Sequence, residues 1–313
     1  MRTVGSDGRR HWIEGHDNTG TEWPTDDSRT KLAHSLRMFN MNTATPLAQR
    51  SSVVEGCDLL VSSADKCLAE AEITIGQLKR LGVSSLFDCH LLLGERKPDI
   101  EGFRVLNRRV PGTWSSELRD GLLQLHKPYV LLWLDDFTPL DVAPLPLIQQ
   151  TISRFIQCEG NYLRLNPTPA GHGAELFPGV REILPGEIYR TSTVYSVWRR
   201  DLLLALLNDA ETAWQFEFVG SVRSDSHLRF YASTRRLVSF VNLVIKGLVD
   251  PRAELTLKAR GVRVEGIKRP RMNRTQLARQ RLLDTRARVL SLLPWRIRRA
   301  LRNGFSTNPR PNA

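Results

Sequence analysis

YVLLWLDDF, residues Tyr129–Phe137, decides the reading of this chain. Tyr129–Leu134 is the most strongly apolar strand candidate in the sequence, and it runs directly into two adjacent carboxylates. In an open parallel sheet, ligands collect at the carboxyl ends of strands, because the loops diverge there and leave a crevice. Asp135 and Asp136 stand at such an end, where burial and mutual repulsion are unfavourable unless a positive charge sits between them. A divalent cation bridging to a diphosphate meets that need. Oxygen ligands with few protein contacts suit Mg²⁺ or Mn²⁺, which take the rest of their coordination from water and phosphate. The plainer alternative is that the pair forms a turn or caps the next helix.

Working outward, short apolar runs alternate with amphipathic segments from Cys57 onward, the order of a sheet built from βαβ units. Cys57–Ser62 reads as a buried strand and Lys66–Leu81 as the helix after it. Ser84–Leu93 and Gly102–Val110 supply two more strands. Thr113–Leu125 reads as a helix capped by Thr113 or Ser115. Beyond the carboxylates, Pro144–Cys158 reads as helix, Asn161–Leu165 as strand and Asn166–Gly186 as loop. Thr191–Leu207 begins extended and becomes a helix with Trp198, Leu202, Leu203 and Leu206 on its apolar stripe, and Lys246-Gly247 reads as a helix end.

The chain has 313 residues and a formal net charge of +12, enough length for a full α/β core. Residues 258–313 hold 16 Lys/Arg against 2 Asp/Glu, so the remainder carries a balance of −2. A duplex-binding domain would carry its basic residues on the folded body, so nucleic acid is not an expected partner. The four cysteines lie far apart with no metal-ligand spacing, which implies neither a disulfide framework nor a zinc site and suits a reducing cytoplasm. No run approaches the length of a spanning helix and no apolar stretch follows the early arginines, so neither secretion nor membrane insertion is expected. Residues 1–50 lack apolar periodicity and are expected to form a mostly disordered extension, with Met41 an alternative start. Residues 273–302 read as basic amphipathic helix suited to an anionic membrane surface. The competing reading is a helix packed on the body with a solvated polar face.

HKPYVLLWLDDF (His126–Phe137), NYLRL (Asn161–Leu165), YSVWRRDLLLALL (Tyr195–Leu207) and ETAWQFE (Glu211–Glu217) together resemble a bacterial group of GT-A-type, family 2-like glycosyltransferases, the predicted nucleotide-diphospho-sugar transferases. The resemblance covers roughly Cys57 to Gly261. Ala213 stands where the family has proline, and the paired carboxylates replace a separated D-x-D. The resemblance implies a Rossmann-like, three-layer α/β fold with a mostly parallel central sheet and C-terminal helices. It implies a catalytic domain over 51–267, with 268–313 as a helical tail. The implied activity is transfer of a sugar from a nucleoside-diphosphate sugar to a glycan or lipid-linked acceptor, in the cytoplasm or at the inner face of the membrane.

The same resemblance implies roles. Asp136 would hold the cation, Mn²⁺ or Mg²⁺, and Asp135 the ribose or donor sugar. The loop Ser62-Ser63-Ala64-Asp65 would cradle the nucleoside, with Ser63 and Asp65 in contact; Asp65 as a helix cap is the alternative. Glu217, inside an aromatic segment able to desolvate it, is the candidate base for an inverting transfer, against a solvated surface acid. Trp214 is the candidate platform for a sugar face, against ordinary core packing. Arg164 and Arg190 are weighed as diphosphate contacts against surface charges, and His172 as a site residue against a surface histidine. Two other classes remain: a nucleotidyltransferase or other metal-dependent enzyme using the same carboxylates, and a non-catalytic basic protein binding membrane or nucleic acid through its tail. The first would normally carry a Gly-rich loop after strand one, which SSADK does not supply.

Overall fold

The computed structural model describes residues 53–292 and Ile297, with side chains beyond Thr285 described at Val289 and Ile297. The expectation for residues 1–50 lies outside the described residues, as does most of the segment after Leu292.

Three strands read from the sequence form the first half of one nine-stranded sheet: β1 (Cys57–Ser62), β2 (Asp88–Leu93) and β3 (Phe103–Asn107). β4 (Tyr129–Leu134) joins β1 on its other side, and the order β3-β2-β1-β4 is parallel throughout. Alternate residues of these strands feed two cores. Leu59, Val61, Leu91, Leu131 and Trp133 enter one, while Leu60, Leu92, Leu106, Val130 and Leu132 enter the other. Both faces are therefore buried, which is why β4 reads as an unbroken apolar run and β1 carries three consecutive apolar residues, Leu59–Val61, between Asp58 and Ser62.

Helices cover each face. α1 (Leu68–Arg80) and α3 (Leu145–Gln157) pack Ala71, Ile75, Leu78, Ile148, Ile152 and Phe155 into the first core. α2 (Trp114–Leu123) and α4 (Arg200–Leu206) pack Leu118, Leu122, Leu202, Leu203 and Leu206 into the second. The result is the three-layer α/β arrangement expected. α2 begins at Thr113, whose side chain accepts from the Ser116 N–H, so Thr113 is the cap. α1 ends at Gly82, whose φ of 75° lets its N–H return to the Lys79 carbonyl, a left-handed stop that only glycine adopts without strain.

Beyond β4 the sheet continues through β9 (Ser196–Arg199), β6 (Tyr162–Arg164), β10 (Phe230–Ser233), β8 (Val180–Glu182) and β7 (Glu175–Phe177). β9 runs antiparallel to both β4 and β6, and β8 is antiparallel to both β10 and β7. The other strands share one direction, so the sheet is mostly parallel. A second, two-stranded sheet pairs β5 (Phe137–Val142) with β11 (Val238–Asn242), and a hairpin joins β12 (Val244–Ile245) to β13 (Leu248–Val249). Two more helices complete the described chain, α7 (Pro251–Ala259) and α8 (Arg274–Leu292). Among the described residues no helix is long and apolar enough to cross a membrane.

Three local readings are corrected and one strand is added. Trp198 lies in β9, not on the α4 stripe, and packs edge-on against Tyr162. Lys246-Gly247 is the tip of the β12–β13 hairpin with φ of 52° and 77°, the positive-φ pair that a two-residue hairpin turn demands. Asn166–Gly186 contains β7 and β8, strands too short to announce themselves among prolines and glycines. β5 was hidden by Pro139, which a two-stranded ribbon tolerates where a central strand would not.

Candidate active site

Asp135 and Asp136 fill the connection between β4 and β5, and their backbone is held from three elements. The Asp135 N–H donates to the Ser62 carbonyl at 3.3 Å, Thr74 Oγ1 of α1 donates to the Asp135 carbonyl at 2.6 Å, and the Leu243 N–H donates to the Asp136 carbonyl at 2.8 Å. Just beyond, Trp133 Nε1 and the Tyr195 hydroxyl both donate to the Phe137 carbonyl, at 2.8 and 3.1 Å. A turn pinned at this density presents its carboxylates in a fixed orientation.

The side chains sit in unfavourable electrostatics. Burial pushes the Asp135 carboxyl up to about 6, against the lowering effect of Ser63 Oγ, which donates to Oδ2 at 2.6 Å. Burial and then repulsion from Asp135 push Asp136 further up. Glu70 adds a third carboxylate nearby and is itself tied to Arg269, whose Nε donates to Oε1 at 2.5 Å. Arg269 comes from the segment preceding α8, which is bound to the body: the Met272 N–H donates to the Val249 carbonyl at 3.0 Å, and Arg271 Nε pairs with Glu254 at 2.7 Å.

Across the cavity stands Glu217. Thr212 opens a short helical segment with a capping box, its hydroxyl accepting from the Gln215 N–H while the Gln215 side chain accepts from the Thr212 N–H. This segment comprises α5 (Ala213–Gln215), a π turn over Phe216–Gly220 and α6 (Ser221–Arg223). π turns displace one residue from the helical register and recur at functional sites. Here the displaced turn carries Glu217. Its Oε1 accepts from the Thr193 N–H at 2.7 Å, Thr193 Oγ1 at 3.0 Å and Ser192 Oγ at 3.1 Å. Burial nonetheless outweighs these bonds, so its pKa lies above the usual carboxylate value.

One cavity of about 410 Å³ brings these groups together. Its lining includes Ser63, Asp135, Asp136, Trp214, Glu217 and Asn242. Lys66 and Lys246 also reach it, and Trp114 closes one side. Two atoms of that lining are buried without a hydrogen-bond partner: the acceptor Oδ1 of Asn242 and the donor Nε1 of Trp114. Buried polar groups are rarely left so. Asn242 ends β11 opposite Phe137, one position from the Leu243 N–H that holds Asp136. Asp135, Asp136 and the Asn242 amide are oxygen donors of the kind a hard divalent cation takes, and all three belong to the lining of this one cavity. Among the described residues no cluster of three or more His, Cys, Asp or Glu side chains is placed to hold a metal by itself, so a cation here would take the rest of its coordination from water and phosphate.

Asp65 is placed differently. It does not line the cavity; its carboxylate accepts the N–H groups of Gly94, Glu95 and Arg96 at 3.0, 2.9 and 3.2 Å. Burial raises its pKa, but these three bonds, with the Arg108 charge behind them, reverse that and hold it below the usual value. A Cβ on Gly94 would stand 2.6 Å from Asp65 Oδ2, so any side chain there would push the carboxylate off these N–H groups. Replacing Asp65 with alanine is expected to cost roughly 1–3 kcal/mol, read as a lower urea midpoint with unchanged slope.

Arg164 and Arg190 are neither surface charges nor phosphate contacts. Both are buried, 1% and 0% exposed. Arg164 donates to the carbonyls of Asn166, Tyr189 and Pro169, and Arg190 to those of Ile183, Ser224 and His227 while lying over the Phe230 ring. They organise the loops beneath the Glu217 segment. His172 pairs with Glu187 at 2.9 Å, away from the cavity lining. Asn242, Lys246 and Trp114 were missed by sequence reasoning, because nothing local distinguishes an orphaned amide or a hairpin lysine from any other.

No family model matches the chain, and no curated protein does. Solved structures that share part of the layout include S. aureus TarS 1-349, at 11% identity over 57% of this chain and 60% of that one, with a TM-score of 0.37. A Methanothermobacter nucleotidyl transferase matches at 14% over 57% and 88%, TM-score 0.37. Apo UDP-glucose pyrophosphorylase matches at 9% over 59% and 93%, TM-score 0.41. The matched part of the TarS structure is thus less than two thirds of its length.

Proposed function

We propose that this chain is a glycosyltransferase that moves a sugar from a nucleoside-diphosphate sugar to an acceptor hydroxyl with inversion. The observation that carries the reading is the meeting, in one cavity, of a strand-end carboxylate pair with a desolvated glutamate on a π turn. Ser63 fixes Asp135 Oδ2, leaving Oδ1 to accept a hydrogen bond from the ribose or donor sugar. Asp136, with Asp135 and Asn242, would hold Mn²⁺ or Mg²⁺. When bound, such a cation supplies Lewis-acid stabilisation of the departing diphosphate. Lys66 and Lys246 set positive charge against that diphosphate, and Trp214 gives a flat apolar surface to the C–H side of the sugar.

Glu217 carries the proton chemistry. Three donors hold Oε1, which leaves Oε2 to serve as the basic atom. As the acceptor oxygen bonds to the anomeric carbon and the bond to the diphosphate breaks, the acceptor proton passes to Oε2. A nucleotidyltransferase, in which a phosphate oxygen attacks, has no use for a base raised in this way. The two readings separate on their products. Incubation with nucleotide sugars is expected to release nucleoside diphosphate. Formation of nucleoside triphosphate from nucleotide sugar and pyrophosphate would instead assign nucleotidyl transfer.

The role of α8 in this reading is attachment at an anionic membrane surface. Asp284 turns toward Arg252 of the body at 3.5 Å, while Leu282 and Val289 are exposed. Because Arg269, Arg271 and Met272 belong to the body's contacts, the informative truncation follows Asn273. Removing 274–313 is expected to release the protein from vesicles containing anionic lipid with donor binding intact; undiminished sedimentation would refute the attachment.

A further inference from the structure

The segment that carries Glu217 inward carries a different surface outward. Trp214, Phe218, Val219 and Val222 are 59%, 46%, 43% and 38% exposed, at helical spacing along α5, the π turn and α6. Among the exposed side chains of this run only Gln215 is polar, and none is charged. Phe218 is held by the Tyr189 ring, with centroids 5.1 Å apart, so the ridge is ordered. Its first residue, Trp214, also lines the cavity. An apolar track therefore leads from the place where the base meets the acceptor hydroxyl out onto the surface.

Resting on the glycosyl-transfer reading, we infer that the acceptor is an amphiphile. Its hydroxyl-bearing head enters the cavity at Glu217 and its hydrocarbon chain lies along Trp214, Phe218, Val219 and Val222. Continuity with the cavity sets the occupant, because Trp214 belongs both to the cavity lining beside Glu217 and to the ridge. The ridge's chemistry sets the class. A purely saccharide acceptor brings hydroxyls that require hydrogen-bond partners, and beyond Gln215 the ridge has none to give. A hydrocarbon chain loses nothing there and gains up to about fourfold in affinity for each methylene removed from water.

The test uses the full chain and dibrominated dodecyl maltoside below its critical micelle concentration, since bromine quenches indole fluorescence on contact. Saturable quenching is expected. Free maltose should not compete, and unbrominated octyl maltoside should compete about tenfold or more less tightly than dodecyl maltoside. Trp214→Phe should lose most of the quench. Phe218→Ser/Val222→Ser, exposed positions outside the catalytic groups, should weaken binding about tenfold while thermal stabilisation by nucleotide sugar is retained. Non-saturating quench, equal quench in both variants, or self-association abolished by the serine variant would overturn the assignment, the last by making a second copy the occupant. Absence of nucleotide-sugar stabilisation in the unmodified chain would overturn the transferase reading itself and the acceptor with it.

Discussion

Glu217→Gln is expected to bind nucleotide sugar as the unmodified chain does and to lose transfer by about 10²- to 10⁴-fold, the usual contribution of a general base. The substitution is nearly isosteric. The amide oxygen still accepts from Thr193 and Ser192, so the π turn and the cavity wall are preserved and only basicity is removed. The effect belongs in kcat with little change in donor affinity. Full activity in this variant would return Glu217 to a structural role. The same geometry fixes a pH dependence. Because burial raises the Glu217 pKa, the base is lost on acidification at a pH above the ordinary carboxylate range, and kcat falls as pH drops through that value. Thr193→Val removes one donor to the ionised form, so it should move this acid limb to higher pH.

Asp136→Asn is expected to remove the metal-dependent part of donor binding while making the ligand-free protein more stable. The sign follows from the raised carboxyl pKa. A carboxyl raised on folding favours the folded state while protonated, and that contribution is lost as pH climbs through the folded value. At neutral pH the ligand-free chain must therefore either keep a proton on Asp136 that the unfolded chain would release or bury two adjacent charges, and both cost stability. Neutralising one member should return roughly 1–2 kcal/mol, one pKa unit being about 1.4 kcal/mol, or a few degrees in Tm. A variant destabilised at neutral pH, or one still stabilised by donor only when Mn²⁺ is present, would contradict the assignment. Functional sites commonly sacrifice stability in this way.

Much of this arrangement was legible in the sequence where burial and periodicity coincide. β1, β2, β4, α1 and α3 were readable because their apolar residues repeat at the sheet or helix period, and the strand-end carboxylates followed from β4. Glu217 and Trp214 were legible as a segment, although not as a π turn and the short helix before it that both reach one cavity, because a register shift of one residue leaves no mark in composition. Asp65 shows the limit of loop reasoning. An acid after a first strand can face ligand, cap a helix or collect backbone N–H groups, and only the approach of Gly94–Arg96 selects the last. Arg164 and Arg190 read as surface charges because arginine usually is; carbonyl cages gathered from distant loops keep them buried. The pairing of β5 with β11, which brings Asn242 beside Asp136, joins residues about a hundred positions apart and has no local trace.

In the proposed function Asp135 and Asp136 organise a cation-assisted nucleotide-sugar site. The most direct measurement is thermal unfolding of the full chain with UDP-, GDP-, dTDP- and CMP-sugars, each with and without Mn²⁺. A ligand bound only by the folded state at about 100 times its Kd adds ~2.7 kcal/mol. The account predicts that one nucleotide class raises Tm by several degrees with Mn²⁺ present and by clearly less without it, and that Asp136→Asn erases the difference. No shift with any nucleotide sugar, or an equal shift in the Asp136 variant, would contradict it.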